Sequence, residues 1–471
     1  MKTYTFILSI LCLTAFSQTF EGSWKAKLST GNLSLRINIH IELLEDETYT
    51  GTFDSPDQGA FDLAFSSVTL SNNALICEAD RMGVKLTLEA INDNKLEGHW
   101  EQAGNAFDLQ FEPLTDDTAA VSKPQDPQPP FPYIEEKTFF TNADTDTIHG
   151  TITLPNGKGP FPGVVLITGS GPQNRDSEIL GHRPFLVLAD YLARKGIAVF
   201  RYDERGVGES GGHFNSATSK DFAHDASFAL RHFAKHKLVD NKRVGLYGHS
   251  EGGMVAGIVN TAFTQPNFII LAAAPGVPIP ELLYKQSDDI MRGQGVDEET
   301  RKETLQLNET IFELIASSKE LDDAIKKVNG YFEQKIRRAE KNEDTKDVET
   351  IKANQEEINL SILTPWFFYF IHFDPEWAYE SIRVPTLVIN GKTDLQVWWE
   401  DNTQAIKHIV NAQGYTNINV ITYENLNHLF QTSESGLPLE YAANEETFNE
   451  AVMKDIAEFI LAQKKGKKIG K

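Results

Sequence analysis

Hydrophobic positions follow two different periods along the chain, and the first is a period of two. Short runs in which apolar and polar residues alternate occupy residues 18–115, between turn-forming residues such as Asp57-Gln58-Gly59. Alternation of this kind is typical of half-buried strands joined by hairpins. The apolar members of these runs are Leu33, Leu35, Ile37 and Ile39, then Phe61, Leu63 and Phe65, then Val84, Leu86 and Leu88, and finally Phe107, Leu109 and Phe111. The pattern predicts a small antiparallel β-domain, a barrel or half-barrel, and it contains no set of residues that suggests chemistry.

The pattern changes after residues 116–132, whose prolines predict an extended and exposed linker. From residue 133 to 471, short and mainly apolar runs, of which GVVLIT at 163–168 is wholly apolar, alternate with amphipathic stretches. The apolar runs read as buried parallel strands and the amphipathic stretches as crossover helices. Strands are predicted at 163–168, 197–203, 243–248, 268–273, 385–390 and 418–424, and helices at 185–195, 219–236 and 403–411. This order predicts an α/β fold with a doubly wound, mostly parallel sheet.

One interval of the second region, at about residues 277–375, has no strand pattern. It is charged and rich in helix-forming residues, and Ile311, Leu314 and Ile315 fall on one helical face. A helical insertion between two strands of such a sheet predicts a cap over the carboxyl edge of the sheet.

Composition limits the class of partner. The chain has 471 residues, 40% of them hydrophobic and 24% charged, as in a soluble globular protein of about two domains. A net charge of −23 argues against nucleic acid and against anionic lipid surfaces, because both require basic residues. The one basic run, at residues 464–468, is expected to be a solvated tail rather than a binding patch.

The first 17 residues resemble an export signal, with Lys2 before an apolar stretch and Ala15-Phe16-Ser17 before a cleavage point at Gln18. The mature chain is therefore expected in the periplasm or outside the cell. Membrane insertion is not expected, because no apolar run approaches the ~20 residues that span a bilayer. Cys12 follows Leu11 rather than a small residue, which argues against lipidation. Cys77 then remains as the one cysteine, so no internal disulfide is possible, and a buried position is expected for it.

The stretch VGLYGHSEGGMVAG begins at Val244 and places Ser250 between an apolar strand pattern and a helix pattern. A serine in the pattern Gly-x-Ser-x-Gly at a strand-to-helix turn is typical of an activated nucleophile. Gly248 and Gly252 suit a turn with no space for side chains. The alternative is an ordinary glycine-rich turn.

A serine nucleophile requires a base and an acid that orients the base. Asp394 follows the predicted strand at 385–390, and His428 follows the strand at 418–424. The order serine, acid, histidine is the one expected on this type of sheet. The competing residues lie in one amphipathic helix: His408 suits a surface or packing position, and Glu400 and Asp401 suit its first turn.

Acyl transfer also requires N–H donors for a developing oxyanion. The backbone N–H groups of Glu251 and of Ser170, in the glycine-rich loop ITGSGPQNRD, are the candidates. A phosphate-binding loop is the alternative for that segment, but no lysine follows and the third glycine of a dinucleotide loop is missing. In RYDERGVGESGG, Asp203 and Arg205 are expected to brace a loop near the site. The alternative is that Asp203, Glu204 and Arg205 are catalytic acids and a substrate clamp.

An aromatic segment of the predicted cap, TPWFFYFIHFDP, begins at Thr364. Its rings could line a substrate pocket or could pack the cap onto the sheet, and both roles are possible for different faces. The candidate substrate-binding residues are Trp366, Phe367 and Phe370, with Phe373 as a further member.

The motifs GSGPQNRD, RYDERGVGESGG, GHSEGG, PTLVINGKTD and NLNHLFQ together resemble secreted bacterial α/β-hydrolases of the serine aminopeptidase-like or esterase-like group, related to the prolyl-oligopeptidase branch. The likeness covers residues from about 133 to the C-terminus. It implies hydrolysis of carboxylic esters, with Ser250, Asp394 and His428 at the triad positions and Ser170 and Glu251 at the oxyanion positions.

The implied partner is a small-molecule ester, with no cofactor and no metal. A serine peptidase or amidase is the alternative, although the sequence offers no acidic pair placed to hold a substrate amino terminus. A non-catalytic binding protein is the alternative from another class. The sequence makes no prediction of oligomeric state.

Overall fold

A computed structural model describes residues 20–30, 33–44, 46, 48–55, 60–79, 83–92, 94–102, 105–114, 123–342 and 345–469. The chain divides into two units, here called the N-terminal unit, up to residue 119, and the C-terminal unit, from residue 120. The export signal predicted at residues 1–17 lies outside the described residues. In the part of the chain that is described, no helix has the length and apolar character needed to cross a bilayer.

The N-terminal unit is a curled antiparallel sheet, a half-barrel, as predicted. Its described residues form nine strands in the order β4-β3-β2-β1-β9-β8-β7-β6-β5. The strands are β1 (Gly22–Thr30), β2 (Leu33–Leu43), β3 (Tyr49–Ser55), β4 (Ala60–Ala64), β5 (Ser67–Ser71), β6 (Ala74–Ala79), β7 (Val84–Asn92), β8 (Lys95–Gln102) and β9 (Asn105–Pro113).

The period-two pattern explains which face of this sheet is buried. Along β7, Val84, Leu86 and Leu88 are buried while the residues between them are not, and Leu86 pairs with Trp100 across the sheet. Cys77 is buried in the same core, as expected, and burial raises the pKa of its thiol to about 12. The side chain of Phe61 lies outside the described residues.

The C-terminal unit contains a second sheet, in the order β10-β11-β13-β12-β14-β15-β16-β17. Pairs from β13 to β17 are parallel, whereas β11 is antiparallel to both β10 and β13. The predicted mostly parallel sheet is therefore confirmed. Its strands are β10 (Tyr133–Thr141), β11 (Thr147–Pro155), β12 (Phe161–Ile167), β13 (Ala198–Tyr202), β14 (Val239–His249), β15 (Ile269–Ala272), β16 (Thr386–Gly391) and β17 (Ile418–Tyr423).

Helices cover both faces of this sheet, because each central strand is apolar on both sides and must be shielded from water. The helices of the layers are α1 (Pro184–Arg194), α2 (Ser219–Phe233), α3 (Glu251–Ile258) with a π-helical turn (Val259–Phe263), α10 (Trp399–Ala412) and α11 (Glu450–Ala462). One apolar core includes Phe233 and Leu246, and the other includes Phe185 and Tyr247.

The interval between β15 and β16 is helical, as expected for the cap. It contains α4 (Ile279–Gly293), α5 (Glu298–Ala316), α6 (Leu321–Lys341), α7 (Thr345–Ser361), α8 (Pro365–Ile371) and α9 (Pro375–Tyr379). Ile311 and Ile315 lie buried in a separate apolar cluster with Phe332 and Phe367, whereas Leu314 is only partly buried. The single helical face noted in the sequence is thus the inner face of the cap.

The segment predicted as an exposed linker is described at residues 123–132, where its side chains form hydrogen bonds with the C-terminal unit. It forms no regular element, and several of its prolines are exposed, but Lys123 donates to the carbonyl groups of Ala442 and Asn444 at 2.9 and 2.7 Å. The amide of Gln125 also bonds to the backbone of Phe448. The second half of the predicted linker is therefore attached to the C-terminal unit, because its polar side chains satisfy backbone groups there.

Candidate active site

Ser250 lies in a strained turn between β14 and α3. Its backbone has φ 55° and ψ −124°, a conformation that side-chain-bearing residues rarely adopt. The Ser250 N–H donates to the Ala272 carbonyl at 2.8 Å, which ties the turn to the next strand. A Cβ on Gly248 would lie 2.0 Å from the Gly252 carbonyl oxygen, and one on Gly252 would lie 2.3 Å from the Ile167 oxygen. Both positions therefore require glycine.

His428 and Asp394 form a buried hydrogen bond at the carboxyl edge of the sheet. Asp394 follows β16, His428 follows β17, and Nδ1 of the imidazole lies 2.8 Å from the carboxylate Oδ2. The other carboxylate oxygen accepts the backbone N–H groups of Gln396 and Val397, at 2.8 and 2.9 Å. Since the carboxylate accepts, Nδ1 carries a proton, and in the tautomer with that proton alone Nε2 is an acceptor.

Ser250 and His428 line one pocket, of about 260 Å³, between the sheet edge and the cap. His249, the neighbour of Ser250, donates from Nε2 to the His428 carbonyl at 2.8 Å, and the two imidazole rings lie 4.8 Å apart. Burial lowers the pKa of His249 to about 3, so this ring is a neutral hydrogen-bond donor. His249 thus links the turn of the serine to the loop of the histidine.

The glycine-rich loop after β12 passes directly beside Ser250. A Cβ built on Gly169 would lie 3.1 Å from the Ser250 Cβ, and Ser170 lines the same pocket. Glu251 is the first residue of α3, so its N–H has no acceptor within the helix and is available to a bound group. The two predicted oxyanion positions are therefore brought to the serine.

The side chain of Glu204 holds the glycine-rich loop in place through two hydrogen bonds. Its Oε1 lies 2.5 Å from the Thr168 hydroxyl, and its Oε2 accepts the Gln173 N–H at 3.0 Å. Burial raises the pKa of this carboxyl to about 8, and the hydrogen bond donated by the Thr168 hydroxyl opposes that rise. The acid therefore fixes both ends of the segment that carries Ser170.

Asp203 and Arg205 brace loops, as expected, and neither lines the pocket. Asp203 pairs with Arg175 at 2.5 Å and accepts the Glu209 N–H, which closes the turn that follows β13. Arg205 forms two hydrogen bonds with buried Asp225, at 2.7 and 2.8 Å. A bidentate pair of this kind holds its partners in one geometry.

The aromatic residues of α8 divide between the two predicted roles. Trp366, Phe367 and Phe370 line the pocket, and the first and last of these rings stack at 5.0 Å. Phe367 also belongs to the apolar cluster of the cap, and Phe373 is buried in the core of the C-terminal unit. The segment therefore forms a pocket wall on one face and packs on the other.

The competing residues take the positions expected for them. His408 is exposed on α10, far along the helix from the sheet edge, and Glu400 and Asp401 lie in its first turn. Within the described residues, no group of three or more His, Cys, Asp or Glu side chains could hold a metal ion.

The side chain of Glu251, like those of Glu204 and His249, has a role that was not predicted from the sequence. It is 2% exposed, although it was considered only for its backbone, and its carboxylate accepts hydrogen bonds from Ser219 and Trp366. A glutamate between Ser250 and Gly252, at the start of an otherwise apolar helix pattern, was the available signal. Its partners are distant in sequence and could not be read from it.

The strand order, the strained serine turn and the His428–Asp394 pair are those of the α/β-hydrolase fold. Residues 183–366 match a family model described as "Serine aminopeptidase, S33", which confirms the resemblance to the serine aminopeptidase-like and esterase-like group. The matched segment contains Ser250 but ends before Asp394.

Two curated relatives and one solved structure are similar to the chain. Esterase EstD of Thermotoga maritima is 27% identical over 308 residues, which cover 65% of this chain and 63% of that relative. An uncharacterised 31.7 kDa protein of Escherichia coli is 22% identical over 246 residues, 52% of this chain and 76% of that protein. A Pyrococcus furiosus esterase structure has a TM-score of 0.43 and 14% identity over 73% of this chain and 98% of its own.

Proposed function

We propose that the chain is a serine hydrolase that cleaves carboxylic ester bonds through an acyl-enzyme intermediate. One observation carries the proposal: Ser250 lines the same pocket as His428, and Nδ1 of His428 is hydrogen-bonded to Asp394. Ser250 lies in a strained turn that requires glycine at positions 248 and 252. This is the set of groups that makes a serine hydroxyl nucleophilic. The family match and the relative named as an esterase agree with it.

In the proposed mechanism, the Ser250 oxygen bonds to the acyl carbon while Nε2 of His428 takes the hydroxyl proton. The same proton passes to the leaving alcohol when the ester bond breaks. Water then attacks the acyl-enzyme, giving a proton to His428 that returns to the serine oxygen as the acid leaves. Asp394 holds the imidazole in the required tautomer and stabilises its charged form.

The backbone N–H groups of Ser170 and Glu251 are proposed to stabilise the oxyanion. The loop of Ser170 passes beside the serine, and Glu251 opens the helix that follows it. Both donors are backbone groups held by packing, so they need no rearrangement as negative charge develops. In comparable sites, one such donor contributes about 3 kcal/mol to the transition state.

The pocket lining favours an uncharged acyl group over a peptide amino terminus. Leu282, Leu283 and the rings of α8 supply apolar surface. Among the described residues that line the pocket, Glu251 is the one acidic side chain, and its carboxylate is already bonded to Ser219 and Trp366. A substrate ammonium group would find no free carboxylate. Ester hydrolysis is therefore proposed ahead of aminopeptidase activity.

The test is hydrolysis of p-nitrophenyl acetate, beside a panel of aminoacyl and prolyl p-nitroanilides. Ser250→Ala and His428→Ala should abolish ester hydrolysis. His408→Ala, the matched control, changes an exposed side chain of α10 and should retain the activity. Activity retained by Ser250→Ala would refute the assignment. Faster cleavage of amides would favour a peptidase, and no reaction at all would favour a binding protein.

We also propose that the chain is exported, with cleavage after residue 17, to the periplasm or the medium. The basis is the short basic start, the apolar run and the small residues before Gln18. A mature chain with one buried cysteine suits an oxidising compartment, because it offers no thiol for unwanted pairing.

A further inference from the structure

The carboxylate of Glu251 joins three separate segments around the pocket. Ser219, at the start of α2, donates its hydroxyl to Oε1 at 2.6 Å, and the indole Nε1 of Trp366 donates to the same oxygen at 2.9 Å. The side chain of Ser170 also lies near enough to this carboxyl to lower its pKa. An acidic side chain that is 2% exposed thus contacts helix α2 and the cap and lies beside the oxyanion loop.

The indole contact is the informative one, because an indole N–H can only donate. Trp366 is half-buried, its ring stacks on Phe370 at 5.0 Å, and the two rings form a wall of the pocket. Without an acceptor, the N–H would have to turn toward water, since an unsatisfied buried donor is costly. The position of this wall is therefore set by the carboxylate as well as by packing.

The same carboxyl borders the proposed oxyanion site, since Glu251 supplies one backbone N–H and Ser170 supplies the other. Burial raises the pKa of Glu251, and the donors from Ser219, Trp366 and Ser170 oppose that rise. Any movement of α8 that pulls Trp366 away removes one of these donors. The geometry of the pocket wall and that of the oxyanion loop are thereby coupled.

Resting on the proposed esterase function, we propose that the Glu251 side chain is a positioning residue that selects acyl length. It holds Trp366 of the cap against the pocket of about 260 Å³ and keeps that pocket short. It also ties this closed wall to the loop that carries Ser170. Short, uncharged acyl groups are the substrate class that fits.

The experiment compares Glu251→Gln with Glu251→Met, which have similar volumes but only the first of which retains an oxygen acceptor. The measurement is kcat and KM for p-nitrophenyl acetate, butyrate and hexanoate. In Glu251→Met, kcat/KM for hexanoate relative to acetate should rise about tenfold, the size typical of coupled contacts. Glu251→Gln should stay near the native ratio.

A second variant tests the coupling and remains useful if Glu251→Met does not fold. Trp366→Phe keeps an aromatic wall but removes the N–H donor. Alone, it should raise the hexanoate-to-acetate ratio of kcat/KM, and combined with Glu251→Met it should raise that ratio little further. Trp377→Phe, on α9 and 40% exposed outside the pocket, is the matched control. Circular dichroism and thermal unfolding establish that each variant is folded.

Two outcomes would overturn the proposal. Glu251→Gln and Glu251→Met could give the same acyl ratio, or Trp366→Phe could act independently of residue 251. In either case the native chain would still hydrolyse esters, and only the positioning role would fail. Absence of hydrolysis by the native chain would instead refute the proposed function itself.

Discussion

At the scale of single residues, the site depends on which groups are kept neutral and which are kept ionised. His249 is a half-buried, neutral donor and Glu204 is a buried acid with a raised pKa, whereas Asp394 receives two backbone N–H groups and an imidazole N–H. Because of these different environments, the carboxylate of Asp394 orients a base, whereas the carboxyl of Glu204 supports a loop. Residues of one type therefore have different roles because their hydrogen-bond partners differ.

Asp394→Asn tests the orienting role. An asparagine amide can donate to Nδ1 of His428, which would move the ring proton to Nε2 and remove the acceptor that Ser250 needs. We expect kcat to fall by about 10⁴ with the fold retained, as in the best-studied triad. Steady-state kinetics with p-nitrophenyl acetate measure the loss, and a fall of less than tenfold would show that Asp394 does not orient the base.

Glu204→Gln tests the protonation of the loop acid through stability. Burial raises the pKa of Glu204 from 4.5 to about 8, so the folded chain retains a proton that the unfolded chain loses. This contribution to stability is complete below pH 4.5 and is lost as the pH rises to 8, by at most about 1.4 kcal/mol per pH unit.

Urea unfolding from pH 4 to 9 provides the measurement. Because glutamine does not titrate, the variant should gain stability relative to the native chain as the pH rises from 4.5 to 8, and the difference should be flat below pH 4.5. A difference that is independent of pH would mean that the pKa of Glu204 is the same in the folded and unfolded chains.

At the scale of elements, the strand-to-helix turn of β14 and α3 concentrates the strain of the fold. Gly252→Ala would place a Cβ 2.3 Å from the Ile167 oxygen, and overpacking against backbone cannot be relieved by a rotamer change. We expect a loss of about 3 kcal/mol in the free energy of unfolding, or no folded protein.

Gly330→Ala is the matched control. It lies within α6, where a new Cβ meets nothing within 4 Å, so it should be neutral or stabilising by about 1 kcal/mol. Denaturant unfolding of both variants checks the pair, and equal stability of the two would contradict the account of the turn.

The elements that could be predicted from sequence are those with one strong pattern. Runs of mainly apolar residues predicted β12 to β17 to within a few residues, because the central strands are buried on both faces. The hairpin of β10 and β11 was missed because β10 is an edge strand with a mixed pattern, in which Ile134 and Phe139 are exposed. Helix α11 (Glu450–Ala462) was also missed.

At the scale of the whole molecule, the placement of the loops of Ser250, Asp394 and His428 at one edge of the sheet was predictable, because parallel strands end at the same edge. The bond of His428 to Asp394 spans 34 residues, and strand order alone places the two loops side by side. The bond of Glu251 to Trp366 spans 115 residues and a helical cap. The Glu251–Trp366 hydrogen bond depends on how α8 packs, and no local sequence pattern predicts that packing.

The proposed export makes a prediction for the full-length chain. Expressed in a Gram-negative host, it should be recovered from the periplasm or medium with Gln18 as its first residue. Leu11→Arg would interrupt the apolar run and should leave the chain in the cytoplasm with its first 17 residues attached. Mass spectrometry of the N-terminal peptide distinguishes the results, and a native chain that begins at residue 1 in the cytoplasm would contradict the proposal.

The central claim is that Ser250 is an activated nucleophile, and its most direct test is covalent labelling with a fluorophosphonate followed by peptide mapping. The account predicts one label per folded chain, attached to Ser250, and no label on Ser250→Ala. A folded native chain that takes up no label, or that carries the label on another residue, would contradict it.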